Sequence, residues 1–180
     1  AALVIPAATD MDFVTALHTL RAAIDDPARH GERWHFTTRI PDAAELADIR
    51  AATANALPED YYRFIATCGS GEYFDDDWPV VFYDAAELRA QNAYYQELLA
   101  EELAALPPDA PAPQSGRLIV VGEHQAMGDW FGFDTSRAVP NFDIFIHDAA
   151  DPSTYAEEAE WRHFADWIGQ CVASKGQSTL

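Results

Sequence analysis

Four carboxylates fall within six residues at Glu72, Asp75, Asp76 and Asp77, and Trp78 follows at once. Charges this close repel one another unless water or a cation relieves them. Three readings fit: a solvated acidic loop, a calcium site built from hard oxygen ligands, or a protein-binding hot spot. In the last, Tyr73, Phe74 and Trp78 are the aromatic anchors beside the acids. A basic active site that holds phosphate with Lys and Arg can be filled by carboxylates presented in phosphate's place.

A second set lies downstream. Glu123-His124, Asp129 and Asp134 have the residue types for metal ligation or acid–base work. No HExxH, CxxC or DxDxDG spacing brings them together. The histidines (His18, His30, His35, His124, His147 and His163) are scattered. No GxSxG or paired Cys/His signature marks a nucleophile. Gly69-Ser70-Gly71 follows a helix and is flanked by acids, which repel phosphate. No catalytic residue, metal or cofactor is expected, and binding is the chemistry that remains. Trp130 and Phe131 point to opposite faces of one strand, so one belongs to the core and the other to the surface. Asp129, Asp134 and Asp143 are placed with the exposed member. The candidate contact set is Glu72, Tyr73, Asp75, Asp76, Asp77, Trp78, Asp129, Trp130, Asp134 and Asp143.

Charge narrows the partner. The 180 residues carry 30 acidic against 11 basic side chains, a net charge of −19. Each third of the chain holds ten acids, so the negative field surrounds the body rather than trailing from a tail. Such a surface repels nucleic acid and anionic membrane, and it attracts and steers a basic protein. A lineage bias toward acidic surfaces is the plainer account. Ten of the eleven basic residues are Arg, which suits a GC-rich genome. The apolar fraction of 49% excludes a disordered chain. No apolar run is long enough to span a bilayer. AALVIPAA at the start is too short for a signal core and lacks a basic flank, so a cytoplasmic location is expected. Cys68 and Cys171 fall on apolar helix faces and are expected as buried thiols.

The elements that position these residues follow from periodicity. Phe13, Leu17, Leu20 and Ile24 mark a first helix, capped by Thr9 or Asp10 and ended by Asp25-Asp26-Pro27. Arg33–Ile40 predicts a short edge strand, stopped by Pro41. Asp42 with Glu45, and Asp84 with Glu87, are capping boxes; the second starts a long helix to about Ala105 with Leu88, Tyr95, Leu99 and Leu103 on one side. Between them, Pro58-Glu59-Asp60 starts a helix whose stripe is Tyr61, Phe64, Ile65 and Cys68, ended by Gly69. Glu72–Asp77 reads as a loop, Pro79–Tyr83 as a strand, and Leu106–Gly116, with four prolines, as a surface loop. Leu118–Gly122, Asp129–Asp134 and Phe142–His147 are strands, the last alternating Phe142, Ile144 and Ile146 against Asp143, Phe145 and His147. After a turn at Asp148–Ser153, Trp161, Phe164, Ile168 and Cys171 mark a closing helix, and Ala173–Leu180 is expected to fray. This order predicts one α+β domain with helices packed on one side of a sheet.

The ordered blocks resemble those of the SUKH superfamily, the SMI/KNR-like group. ALPEDYYRFIATCGSGEYF is similar to its signature helix and Gly turn. LIVVGEHQAMGDWFGFDTS is similar to its strand, Gly-Asp, aromatic and Phe-Asp block. NFDIFIHDA and AEWRHFADWIGQ resemble the strand and aromatic helix that follow. The match runs from about Pro41 to Gln170. Cys68-Gly69-Ser70-Gly71 replaces the usual Asn-Gly turn, and 107–113 looks inserted. The resemblance implies a mixed, mostly antiparallel α+β sheet domain without a catalytic centre. It implies an immunity protein that binds a cognate secreted toxin, often a nuclease or deaminase; the high like charge argues for a monomer, which would form a 1:1 complex. Other members are intracellular adaptors, and that reading stands beside it.

Overall fold

Seven strands form one sheet in the order of the chain: β1 (His35–Arg39), β2 (Ser70–Phe74), β3 (Val80–Phe82), β4 (Leu118–His124), β5 (Asp129–Asp134), β6 (Asn141–Phe142) and β7 (Arg162–His163). The computed structural model describes residues 11–26, 28, 34–75, 77–111, 118–126, 128–136, 141–142, 154 and 159–179. The architecture is α+β, and every described strand pairing is antiparallel, in keeping with the mostly antiparallel sheet expected. Among the described residues five helices accompany it: α1 (Phe13–Asp25), α2 (Ala43–Ala52), α3 (Glu59–Cys68), α4 (Ala85–Ala105) and α5 (Phe164–Ala173).

The helix starts are local chemistry. Asp42 and Asp84 each accept from the backbone N–H three residues on at 2.9 Å, while Glu45 and Glu87 reach back to the cap N–H at 2.9 Å. Both boxes therefore close as the sequence predicts. The first helix is capped by Asp12, whose carboxylate accepts from Val14 N at 3.3 Å; Thr9 and Asp10 lie outside the described residues. Leu103 departs from its expected face and is exposed near the end of α4.

Helices cover both sheet faces, not one. On β5 the parity of neighbours decides this. The Phe131 ring lies 5.1 Å from Phe82 and 5.5 Å from Trp167 of α5. The adjacent Trp130 meets Tyr94 and Tyr95 of α4 at 6.0 and 6.1 Å. The inner face thus carries α3 and α5 with α1 behind them, and part of the outer face carries α4. Asn92 fixes α4 in place. Its amide donates to Val120 O at 2.8 Å and accepts from Val120 N at 2.9 Å, satisfying β4 where the short β3 has run out. A register shift between Val120 and Gly122 adds Val121 as a bulge. Gly122 must lack a side chain: a Cβ there would stand 2.0 Å from Val81 O and 2.4 Å from Phe131 Cζ.

Phe64 is the centre of the inner core. It contacts Phe82 at 4.6 Å, Tyr73 at 5.3 Å and Phe164 at 5.5 Å, linking α3, β3, β2 and α5. Cys68 and Cys171 are buried and form no disulfide, and burial pushes the Cys68 thiol up to about 12. Tyr61 is fully buried, and its hydroxyl has no hydrogen-bond partner among the described residues. Its ring still packs on Phe133 at 5.7 Å and Phe164 at 6.0 Å. Tyr61→Phe keeps those contacts and removes the stranded hydroxyl, so stability should hold or rise by about 1 kcal/mol. A loss of about that size in urea unfolding would show that the hydroxyl has a partner.

The C-terminal residues are tied down where fraying was expected. Trp167 Nε1 donates to Thr179 O at 3.1 Å, and His124 Nε2 meets Thr179 Oγ1 at 2.8 Å. Gln170 Nε2 donates to Ser178 Oγ at 2.6 Å. Trp161 precedes α5 rather than lying on it; the short β7 separates them.

Candidate functional site

The acidic stretch is half strand, half turn. Ser70–Phe74 is β2, held between β1 and β3, so only residues beyond it form a loop. Gly71 makes the reversal out of α3 workable: its φ is 128°, and a Cβ would stand 2.1 Å from Thr37 O. Alternation then sends Tyr73 inward. It is fully buried, and its hydroxyl donates to Gly69 O at 2.6 Å. Phe74 is 2% exposed and packs on Trp34 and Phe36. Neither aromatic is a surface anchor, which corrects the sequence expectation for both. Asp75 accepts from Asp77 N at 2.9 Å and Trp78 N at 3.2 Å, closing a turn that presents Asp77 and a 60% exposed Trp78. Asp76 lies outside the described residues.

The second candidate patch divides by parity. Asp129 shares the inner face with Phe131 and is fully buried opposite His124, so it does not belong to a contact surface. Burial also lowers the His124 pKa below its ordinary value. Trp130 is half-buried on the outer face. Asp134, five residues from Asp129, falls on that outer face as well. It accepts from Ser136 N at 2.9 Å and Ser136 Oγ at 2.6 Å. Asp143 and the rest of the strand expected over Phe142–His147 lie outside the described residues; only its first residue, Phe142, is described, in β6. Among the described residues, no three His, Cys, Asp or Glu converge as a metal-holding group.

Register assembles a row that the sequence does not announce. Thr37 pairs with Glu72, Glu72 with Val81, Val81 with Glu123, and Glu123 with Trp130. All five point to the outer face. Glu123 is held in place from below. Tyr83, 3% exposed, donates its hydroxyl to Glu123 Oε2 at 2.9 Å, and Gln125 Nε2 donates to Glu123 Oε1 at 3.2 Å. Burial, and then the Glu123 charge, raise the Tyr83 pKa, while a hydrogen bond from the Trp130 side chain works the other way. Glu123 was legible only as a metal or acid–base candidate. Tyr83 and Thr37 gave no signal, because strand register, not spacing, joins them.

The SMI1 / KNR4 family (SUKH-1) profile matches residues 40–170, well over half of the chain. The chain belongs to this family. Curated proteins and solved structures give no significant match. The family match begins with α2 and ends within α5, so the SUKH-1 region contains the whole outer-face row except Thr37. Immunity proteins are what this family is known for.

The charges of this SUKH-1 domain are unevenly balanced. Arg39 pairs with Glu45, Arg89 with Asp48, Arg50 with Glu59, and Arg63 with Asp60 at 3.5 Å. These pairs sit on and around α2, α3 and α4. Side-chain hydrogen bonding with Arg39 and with the Asp42 backbone pulls Glu45 below the usual carboxylate range, the backbone bond first. Among the described residues, Glu72, Asp75, Asp77 and Glu123 form no ion pair. A cleft of about 200 Å³ beside the row is lined by both signs of charge, including Arg39, Glu45, Asp48 and Asp84. No helix among the described residues is long and apolar enough to cross a membrane.

Proposed function

We propose that this chain is an immunity protein that binds and neutralises a cognate secreted antibacterial toxin, a nuclease or deaminase, within the cytoplasm of the producing cell. The family match over residues 40–170 carries the reading. The net charge of −19 supports a partner with a basic binding face. The protein acts by stoichiometric occupancy, one monomer per toxin, and performs no catalysis of its own. The contact residues belong to the outer face and its adjoining turn: Glu72, Asp75, Asp77, Trp78, Trp130 and Asp134. Asp76 and Asp143 are included on sequence grounds. Tyr73 and Asp129 serve the surface from inside, as packing beneath it.

Genes of this kind commonly neighbour their toxin, so the test is a survival assay. The C-terminal domain encoded by the adjacent gene is expressed in a naive host with and without this chain. Killing by the domain alone and growth when both are present is the expected result. A domain that is harmless, or that kills regardless, overturns the reading.

A further inference from the structure

Glu72 sits in mid-sheet, half-buried, with a strand on each side. Its carboxylate forms no ion pair and accepts no hydrogen bond among the described residues. A carboxylate with no protein partner can take an incoming cation without breaking an existing ion pair. Two strands away, Glu123 is already oriented by the Tyr83 hydroxyl and the Gln125 amide. Neighbouring strands lie about 4.8 Å apart, so the two backbone positions are separated by roughly 10 Å. Val81, 9% exposed, floors the space between them. Trp130 closes the row beyond Glu123, and Thr37, exposed, closes it beyond Glu72. Arg39, the basic side chain next to Thr37 on this face of β1, is taken by Glu45.

We infer that the row Thr37–Glu72–Val81–Glu123–Trp130 is the seat for an Arg-bearing extended segment of the protein partner. The inference rests on the immunity reading for the partner's identity, but not for the chemistry of the seat. A guanidinium laid flat over Val81 has a carboxylate on either side, each able to accept two N–H bonds in one plane. Its apolar faces meet Val81 below, and a second cationic or apolar side chain two residues along the segment reaches the Trp130 ring. The seat selects Arg over Lys, because an ammonium cannot address two carboxylates so far apart.

The test uses the full chain and a blocked peptide, acetyl-Ala-Arg-Ala-Arg-Ala-amide, followed by ¹⁵N–¹H correlation spectra. Shifts should concentrate at Glu72, Val81, Glu123 and the Trp130 indole. Glu72→Gln and Glu123→Gln should each weaken the peptide about tenfold. Asp75→Asn and Asp77→Asn, outside the row, should weaken it less than about twofold. The same spectra report whether each variant is folded. Thr37→Lys, at an exposed position, supplies an internal cation beside Glu72 and should block the peptide without touching either carboxylate. The Lys peptide should bind more weakly than the Arg peptide. Shifts spread over the whole acidic surface, or equal weakening by all four neutralised acids, would overturn the seat. Running the same variants in the survival assay separates the two ideas. If the natural chain protects and both Gln variants protect equally, the immunity reading stands and the seat falls. If the natural chain does not protect, the immunity reading falls and the peptide titration still decides the seat.

Discussion

Phe64→Ala should lower folding stability by about 3–5 kcal/mol, the range for removing a buried aromatic ring. In a chain of this length each kcal/mol moves the melting temperature by roughly 2–4 °C, so a drop of about 6–20 °C is expected. The size follows from where the ring lies. It is fully buried and touches Tyr73, Phe82 and Phe164, one from each of the elements that close the inner core. Those neighbours are themselves large rings wedged against others, Phe82 against Phe131 and Trp167, so they cannot collapse into the vacancy. Phe64→Leu should recover part of the loss by refilling volume without the edge-to-face contacts. Denaturant unfolding of both variants checks this. A loss under about 1 kcal/mol for the Ala variant would mean that the core relaxes around α3 and that Phe64 is not its centre.

That ring was legible in the sequence, and the reason is instructive. Tyr61, Phe64, Ile65 and Cys68 repeat at helical spacing between a Pro-acid start and a glycine stop, so period, cap and terminator agree. The same agreement made α4 legible from Asp84 to Ala105 and β5 from Asp129 to Asp134. β2 was not legible. Ser70–Phe74 places an acid between the Gly69-Ser70-Gly71 turn and two aromatics, and the three aspartates that follow give the stretch the composition of a loop. Only pairing with β3 and with β1, the latter remote in sequence, makes it a strand. The misreading of Tyr73 and Phe74 as surface anchors follows from that one error, since alternation has no meaning outside a strand. Asp129 failed for a related reason. The strand was placed correctly, but nothing in it says which face the helices cover until Phe131 is seen against Trp167. The outer-face row was illegible throughout, because its five members come from five strands and share only register.

Salt should act on this protein in two opposite directions, and the contrast isolates what the charge is for. A net charge of −19 destabilises the compact chain by self-repulsion. Raising NaCl from about 0.02 to 0.5 M, which shortens the screening length from roughly 20 Å to below 5 Å, should therefore raise the melting temperature of the free protein. Association with the proposed toxin partner should move the other way. If the acidic surface steers a basic partner, the on-rate falls by about tenfold or more over that range, while the off-rate, governed by contacts already formed, changes far less. Stopped-flow or surface-binding kinetics at four or five salt concentrations measure both. Local and global charge are then separable. Asp75→Asn and Asp77→Asn remove charges from the turn beside the row and should reduce on-rate and salt slope together. Glu72→Gln and Glu123→Gln remove charges that a bound partner would cover, and should act chiefly on the off-rate. An on-rate indifferent to salt, alongside a melting temperature that rises with it, would assign the acidity to solubility and leave recognition to the shape of the outer face alone.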